Sequence, residues 1–215
     1  MRKDEILKAA ESYVQLEMGQ DRSGHDDWHA MRVRNTAKKL AELEGADSFI
    51  CELAALLHDV ADEKFNPSQE MGLEKISQWM MGQGVTDSDR LHILEIVATM
   101  SFKGGKGVIP VSLEGKIVQD ADRLDAIGAI GIARVMCYSA YSERPIHDPY
   151  LLPRDSMTVE EYRNGQSSAI MHFYEKLLLL KDRMNTKVAK ELAQSRHEFM
   201  EMYLEQFYQE WDGKA

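Results

Sequence analysis

Phe49-Ile50-Cys51-Glu52-Leu53-Ala54-Ala55-Leu56-Leu57-His58-Asp59 decides how the rest of the chain is read. The run up to Leu57 is apolar on every side but for Glu52, and it has no period-2 alternation. Such a run, rich in Leu and Ala, is a helix buried all round rather than a half-exposed strand. A helix with no solvent face needs other helices around it. The chain then moves without a break into His58-Asp59, a polar pair at the end of a buried helix, which is costly unless something compensates.

Outward from this core helix, apolar residues recur at i, i+3 and i+4 in most long segments. The spacing predicts helices over 2–18, 27–44, 48–61, 68–82, 88–101, 112–136, 159–180 and 185–211. Gly19, Gly24, Gly45, Pro67, Gly82, Gly84 and Gly104-Gly105 punctuate them. Asp26 or Asp27, Asp47 or Ser48, Ser68, and Asp87 or Ser88 stand where N-caps belong. The expected fold class is all-α, a single helical domain over 1–215. Segment 139–157, with Pro145, Pro149 and Pro153, reads as a loop or lid, and 185–211 as a closing C-terminal helix.

Composition narrows the function. With 215 residues and a formal charge of −10, the chain is a poor match for a polynucleotide, whose phosphates reward basic surfaces. A small phosphorylated substrate needs only a local cluster of cations and stays in play. No apolar run approaches the ~20 residues of a membrane span, and the acidic N-terminus does not read as a signal peptide, so no membrane is expected. Two cysteines make neither a disulfide framework nor a cysteine-rich zinc site, so cytoplasm is the expected location.

Ionisable residues occupy core-facing slots on three segments. His29 lies on the stripe of Val33, Thr36 or Ala37, Leu40 and Leu43. His58 and Asp59 follow the buried helix. Asp120 sits on the stripe Leu113, Ile117, Leu124, Ile127. A lone inward histidine is more often a hydrogen-bonded core residue than a ligand. Three segments aiming imidazole and carboxylate inward have a simpler common cause, one cation held by His29, His58, Asp59 and Asp120.

The words around these residues are Gly24-His25-Asp26-Asp27-Trp28-His29-Ala30-Met31-Arg32-Val33, Leu56-Leu57-His58-Asp59-Val60-Ala61-Asp62-Glu63-Lys64 and Val118-Gln119-Asp120-Ala121-Asp122-Arg123-Leu124-Asp125-Ala126-Ile127-Gly128. Together they resemble the HD-domain phosphohydrolase superfamily, and within it the small stand-alone bacterial HD hydrolases of the YpgQ and YedJ type. The resemblance implies an HD-domain helical bundle with one divalent metal on those four ligands. It also implies pyrophosphohydrolysis of (deoxy)nucleoside triphosphates to monophosphates, and dimer formation. Two-metal relatives carry extra histidines, and 98–102 has none, so a mononuclear site is expected.

An imidazole and carboxylate site suits Mn²⁺, Mg²⁺, Co²⁺, Ni²⁺ or Fe²⁺, and Mn²⁺ is the expected ion. Such an ion lowers the pKa of a bound water and polarises a phosphoryl oxygen. If the helix runs on to 61, Asp62 shares the face of His58 and Asp59 and is the candidate general base. Glu63 is the alternative base, and Lys64 a charge partner for substrate. Arg32 and Arg123 stand three residues after His29 and Asp120, a spacing that suits phosphate binding. The alternative is that either pairs with a core carboxylate such as Asp122 or Asp125. Lys103 and Lys106, on a glycine-rich loop, and His25, just before its helix, complete the candidate substrate contacts. A phosphatase or phosphodiesterase acting on monophosphate, cyclic or alarmone nucleotides would use the same site. A non-catalytic metal-binding module is the other class.

Overall fold

Why α-helix prevails is visible in a computed structural model, which describes residues 2–21, 26–100, 109–154 and 165–215. Among these residues the regular structure is helical, with no strand. The helices are α1 (Lys3–Met18), α2 (Asp27–Glu44), α3 (Ser48–Leu57), α4 (Gln69–Gly82), α5 (Asp87–Ala98), α6 (Leu113–Asp125), α7 (Gly128–Tyr141), α8 (Ala169–Glu175) and α9 (Lys187–Trp211). The described chain divides into two compact units, one ending at Asp122 and the other running over Arg123–Ala215. None of the described helices is long and apolar enough to cross a membrane.

In the first unit α3 is the hub. It packs against α1, α2 and α5, while α4 packs on α5. Every residue from Phe49 to Leu57 is buried. A fully buried leucine is worth about 1.5–3 kcal/mol, so Leu53, Leu56 and Leu57 alone make a large contribution. Glu52, the charge in this helix, is matched. Its carboxylate accepts from Arg34 Nε at 2.7 Å and from Ser48 Oγ at 3.0 Å, and Arg34 also meets Glu11 at 3.2 Å. One guanidinium thus ties α1, α2 and α3 together. Asp47 caps α3 by accepting from the N–H groups of Phe49 and Ile50, and its own N–H donates to Glu114 of α6 at 3.1 Å. Asp26 caps α2 and Ser68 caps α4. Thr86, rather than Asp87 or Ser88, caps α5.

The turns after α3 pass so close to α4 that a Cβ on Gly72 would lie 2.2 Å from the Ala61 carbonyl oxygen. Only glycine admits that approach.

In the second unit α7 packs against α9 and α8. The helix expected over 112–136 is two helices. The chain turns over 126–127, and Gly128, the first residue of α7, has φ +72°, which an L side chain resists. The break is held by Arg134, which meets the buried Asp125 at 3.1 Å, and by Arg196, whose guanidinium donates to the Leu124 carbonyl. Of the helix expected over 159–180, residues 159–164 lie outside the described residues; from 165 on the chain forms α8 followed by two 3₁₀ turns, Leu177–Leu179 and Lys181–Arg183. Glu175, at the end of α8, is buried and paired with Arg154 at 2.7 Å. Along α9, Tyr203, Phe207, Tyr208 and Trp211 form a ring cluster with His147 and Phe173.

Candidate metal centre

The site is built by two helices of the first unit and by the turn that follows α3. α2 begins at its Asp26 cap, whose carboxylate accepts from the His29 N–H at 2.9 Å. This sets the first turn and presents the His29 ring to the interior, 1% exposed. α3 stops at Leu57, and His58 is its C-cap. The His58 ring is oriented by the carbonyl of Ala55, 2.7 Å from Nδ1. With Nδ1–H donating to that carbonyl, the lone pair of the neutral ring lies on Nε2.

Both Nε2 atoms face the same carboxylates. Asp59 reaches His58 Nε2 at 3.2 Å through Oδ1 and His29 Nε2 at 3.4 Å through Oδ2. Asp122 Oδ1 is 3.5 Å from His29 Nε2 and 3.9 Å from His58 Nε2. The imidazoles meet edge to face, with centroids 5.3 Å apart. Ligand atoms of His29, His58 and Asp59 all lie within 4.8 Å of one another. Around an ion with bonds of about 2.1 Å, neighbouring donors stand about 3.0 Å apart in an octahedron and 3.4 Å in a tetrahedron. The observed separations lie close to those values. Two neutral nitrogens and two carboxylates also balance a divalent charge, so the donor set fits a hard or borderline ion.

Asp122, a carboxylate that the stripe did not single out, meets both imidazoles. Asp120 is fully buried, as its stripe predicts. Residues two apart on a helix point about 200° apart, so Asp120 faces away from the side that Asp122 presents. Burial singles out Asp120, whereas the carboxylate seen against the imidazoles is Asp122. Asp122 is 32% exposed, Asp59 14%, and both stand at the margin of the core, where a substrate can arrive.

The helical argument for Asp62 does not hold, because α3 ends at Leu57 and 58–68 is a series of turns. Asp62 bonds within them. Its N–H donates to the Asp59 carbonyl at 3.0 Å and its Oδ1 accepts from the Lys64 N–H at 2.9 Å. Asp62, Glu63 and Lys64 are all exposed, three or more residues beyond Asp59. Arg32 is half-buried, one turn along α2 from His29. Arg123 stands about 100° round α6 from Asp122, and its guanidinium donates to the Arg183 carbonyl. Of the core carboxylates named as alternative partners, Asp125 meets Arg134 at 3.1 Å. His25, Lys103 and Lys106 lie outside the described residues.

With this geometry in place, comparison with known proteins is informative. The model of the HD domain matches residues 27–127, which contain all the residues of the cluster. The Bacillus subtilis (strain 168) protein YpgQ, described as uncharacterized, is 37% identical over 212 residues, covering 96% of each chain. An HD-superfamily hydrolase of Bacillus thuringiensis has a crystal structure with a TM-score of 0.79 and 44% identity, covering 98% of this chain and 99% of its own. The crystal structure of B. subtilis YpgQ in complex with ADP gives a TM-score of 0.78 at 35% identity, covering 97% of this chain and 100% of its own. A fold, a His-His-Asp cluster and relatives spanning nearly the whole length agree: the chain belongs to the HD-domain family of metal-dependent phosphohydrolases, among its YpgQ-type members.

Proposed function

We propose that the chain is a nucleotide pyrophosphohydrolase, converting a (deoxy)nucleoside triphosphate to the monophosphate and pyrophosphate. The convergence of His29, His58, Asp59 and Asp122 carries the hydrolytic part of this reading. The ADP complex of YpgQ supports the nucleotide part. Those four side chains hold one divalent ion, with Mn²⁺ the preferred identity. When bound, the ion supplies Lewis acidity toward phosphoryl oxygen and acidifies water.

The chain's own residues do the rest. The Ala55 carbonyl keeps the His58 ring in the tautomer that offers Nε2. Asp59 spans both imidazoles and fixes their mutual angle. Arg32 binds phosphate oxygens from the turn beyond His29, and Arg123, Lys103, Lys106 and His25 are further candidates for that duty. Water adds to the α-phosphorus, the bond to the bridging oxygen breaks, and pyrophosphate leaves with the electron pair. Asp62 or Glu63 takes the proton, and Lys64 offsets charge. The proposal treats 1–215 as one HD domain with 139–157 as a loop or lid and 185–211 closing it. It includes a homodimer and a cytoplasmic location.

The test is a panel of nucleoside mono-, di- and triphosphates and cyclic and alarmone nucleotides, incubated with Mn²⁺ and scored for phosphate against pyrophosphate. Pyrophosphate from triphosphates supports the proposal. Inorganic phosphate from monophosphates alone assigns the site to a phosphatase. Metal binding with no phosphorylated compound cut leaves a binding module.

A further inference from the structure

The first turn of α2 passes from the core to solvent within a few residues. His29 is buried, Arg32 half-buried, and Trp28 is 65% exposed. At 100° per residue, Arg32 lies between the other two, about 40° from Trp28 and 60° from His29. Side chains on a helix lean toward its N-terminus, so Trp28 and Arg32, at i and i+4, stack on one stripe. Most of the Trp28 surface is exposed, 65%, one residue before the buried His29, which sets an aromatic face at the rim of the cluster. A nucleotide has the same order of parts: phosphates, then sugar, then a flat apolar base.

We infer that Trp28 is the base-stacking wall of the substrate site, receiving the planar base of a nucleotide whose phosphates lie toward His29 and Arg32. The inference rests on the nucleotide reading above and deepens it. Stacking on an indole is tolerant of base identity, since every base offers a π-face. The enzyme therefore accepts several bases and loses grip on substrates that have none.

Trp28→Ala and Trp28→Phe are compared with the unaltered chain in Mn²⁺, using a deoxynucleoside triphosphate as substrate and inorganic tripolyphosphate as competing inhibitor. Trp28→Ala raises KM for the nucleotide roughly 10-fold, with kcat within about 2-fold and the tripolyphosphate inhibition constant unchanged. Trp28→Phe restores most of the nucleotide KM. An unchanged nucleotide KM in Trp28→Ala, or an equal rise for both ligands, overturns the inference while the hydrolase reading stands. No nucleotide cleavage by the unaltered chain overturns the reading and the inference together.

Discussion

Asp59 and Asp122 combine what the proposed metal site asks of a carboxylate. Each touches both buried imidazoles yet keeps part of its surface open. Hydrophobic periodicity finds the most buried position, so it finds Asp120. The word Asp120-Ala-Asp122-Arg-Leu-Asp125 holds three carboxylates pointing different ways, and only tertiary packing sorts them. Asp120 faces the interior, Asp122 the imidazoles, and Asp125 the guanidinium of Arg134. His29, His58 and Asp59 were legible because an imidazole or a carboxylate beside a buried helix needs a partner. Two predictions follow from this sorting. Asp122→Asn lowers Mn²⁺ affinity by at least 10- to 100-fold and turnover with it, as read by metal titration and nucleotide hydrolysis. Asp120→Asn retains Mn²⁺ binding in the same titration and loses mainly thermal stability; loss of metal in both variants, or in Asp120→Asn alone, would return the fourth ligand to Asp120.

Helix existence was legible and helix endings were less so. α1, α2, α4 and α9 begin and end within about two residues of where their stripes and caps place them. α3 ends early because the chain must turn to bring Asp59 under both imidazoles, a demand of the site that no local propensity records. α6 and α7 read as one helix because Gly128 is flanked by good helix formers, and its positive φ appears only in the fold. Arg34 and Glu52 are the main polar tie among α1, α2 and α3. Glu52→Ala leaves Arg34 without its closest carboxylate and costs about 3 kcal/mol in a urea titration. In the second unit, burial on α8, reinforced by Lys176 and Arg144, pushes the His172 imidazole down to about 3. Its folded value lies below the ~6.5 of an unfolded histidine, so the unfolded chain binds the extra proton. Stability from this group is full above pH ~6.5 and falls as pH drops toward 3, by at most about 1.4 kcal/mol per pH unit. Urea midpoints at pH 7 and pH 5 measure the slope, and His172→Phe flattens it.

Across the whole molecule, a chain with a net charge of −10 brings two imidazoles and two carboxylates together at one spot. In the proposed function these four donors neutralise one ion, and Arg32, one turn along α2, is the proposed phosphate contact. A divalent ion that binds the folded chain alone stabilises it by mass action. Saturating Mn²⁺ at 100-fold over its Kd adds about 2.7 kcal/mol and raises Tm, and a chelator reverses the shift. High salt leaves this shift largely in place, because two of the four donors are buried imidazoles and all four meet the ion at contact distance in the proposed site. In the proposed function one ion on His29, His58, Asp59 and Asp122 is required for hydrolysis, so bound Mn²⁺, counted by electron paramagnetic resonance, is compared with turnover in the same samples. One Mn²⁺ per chain, with both metal and turnover lost in His58→Ala, is the predicted result; turnover that survives complete removal of metal contradicts it.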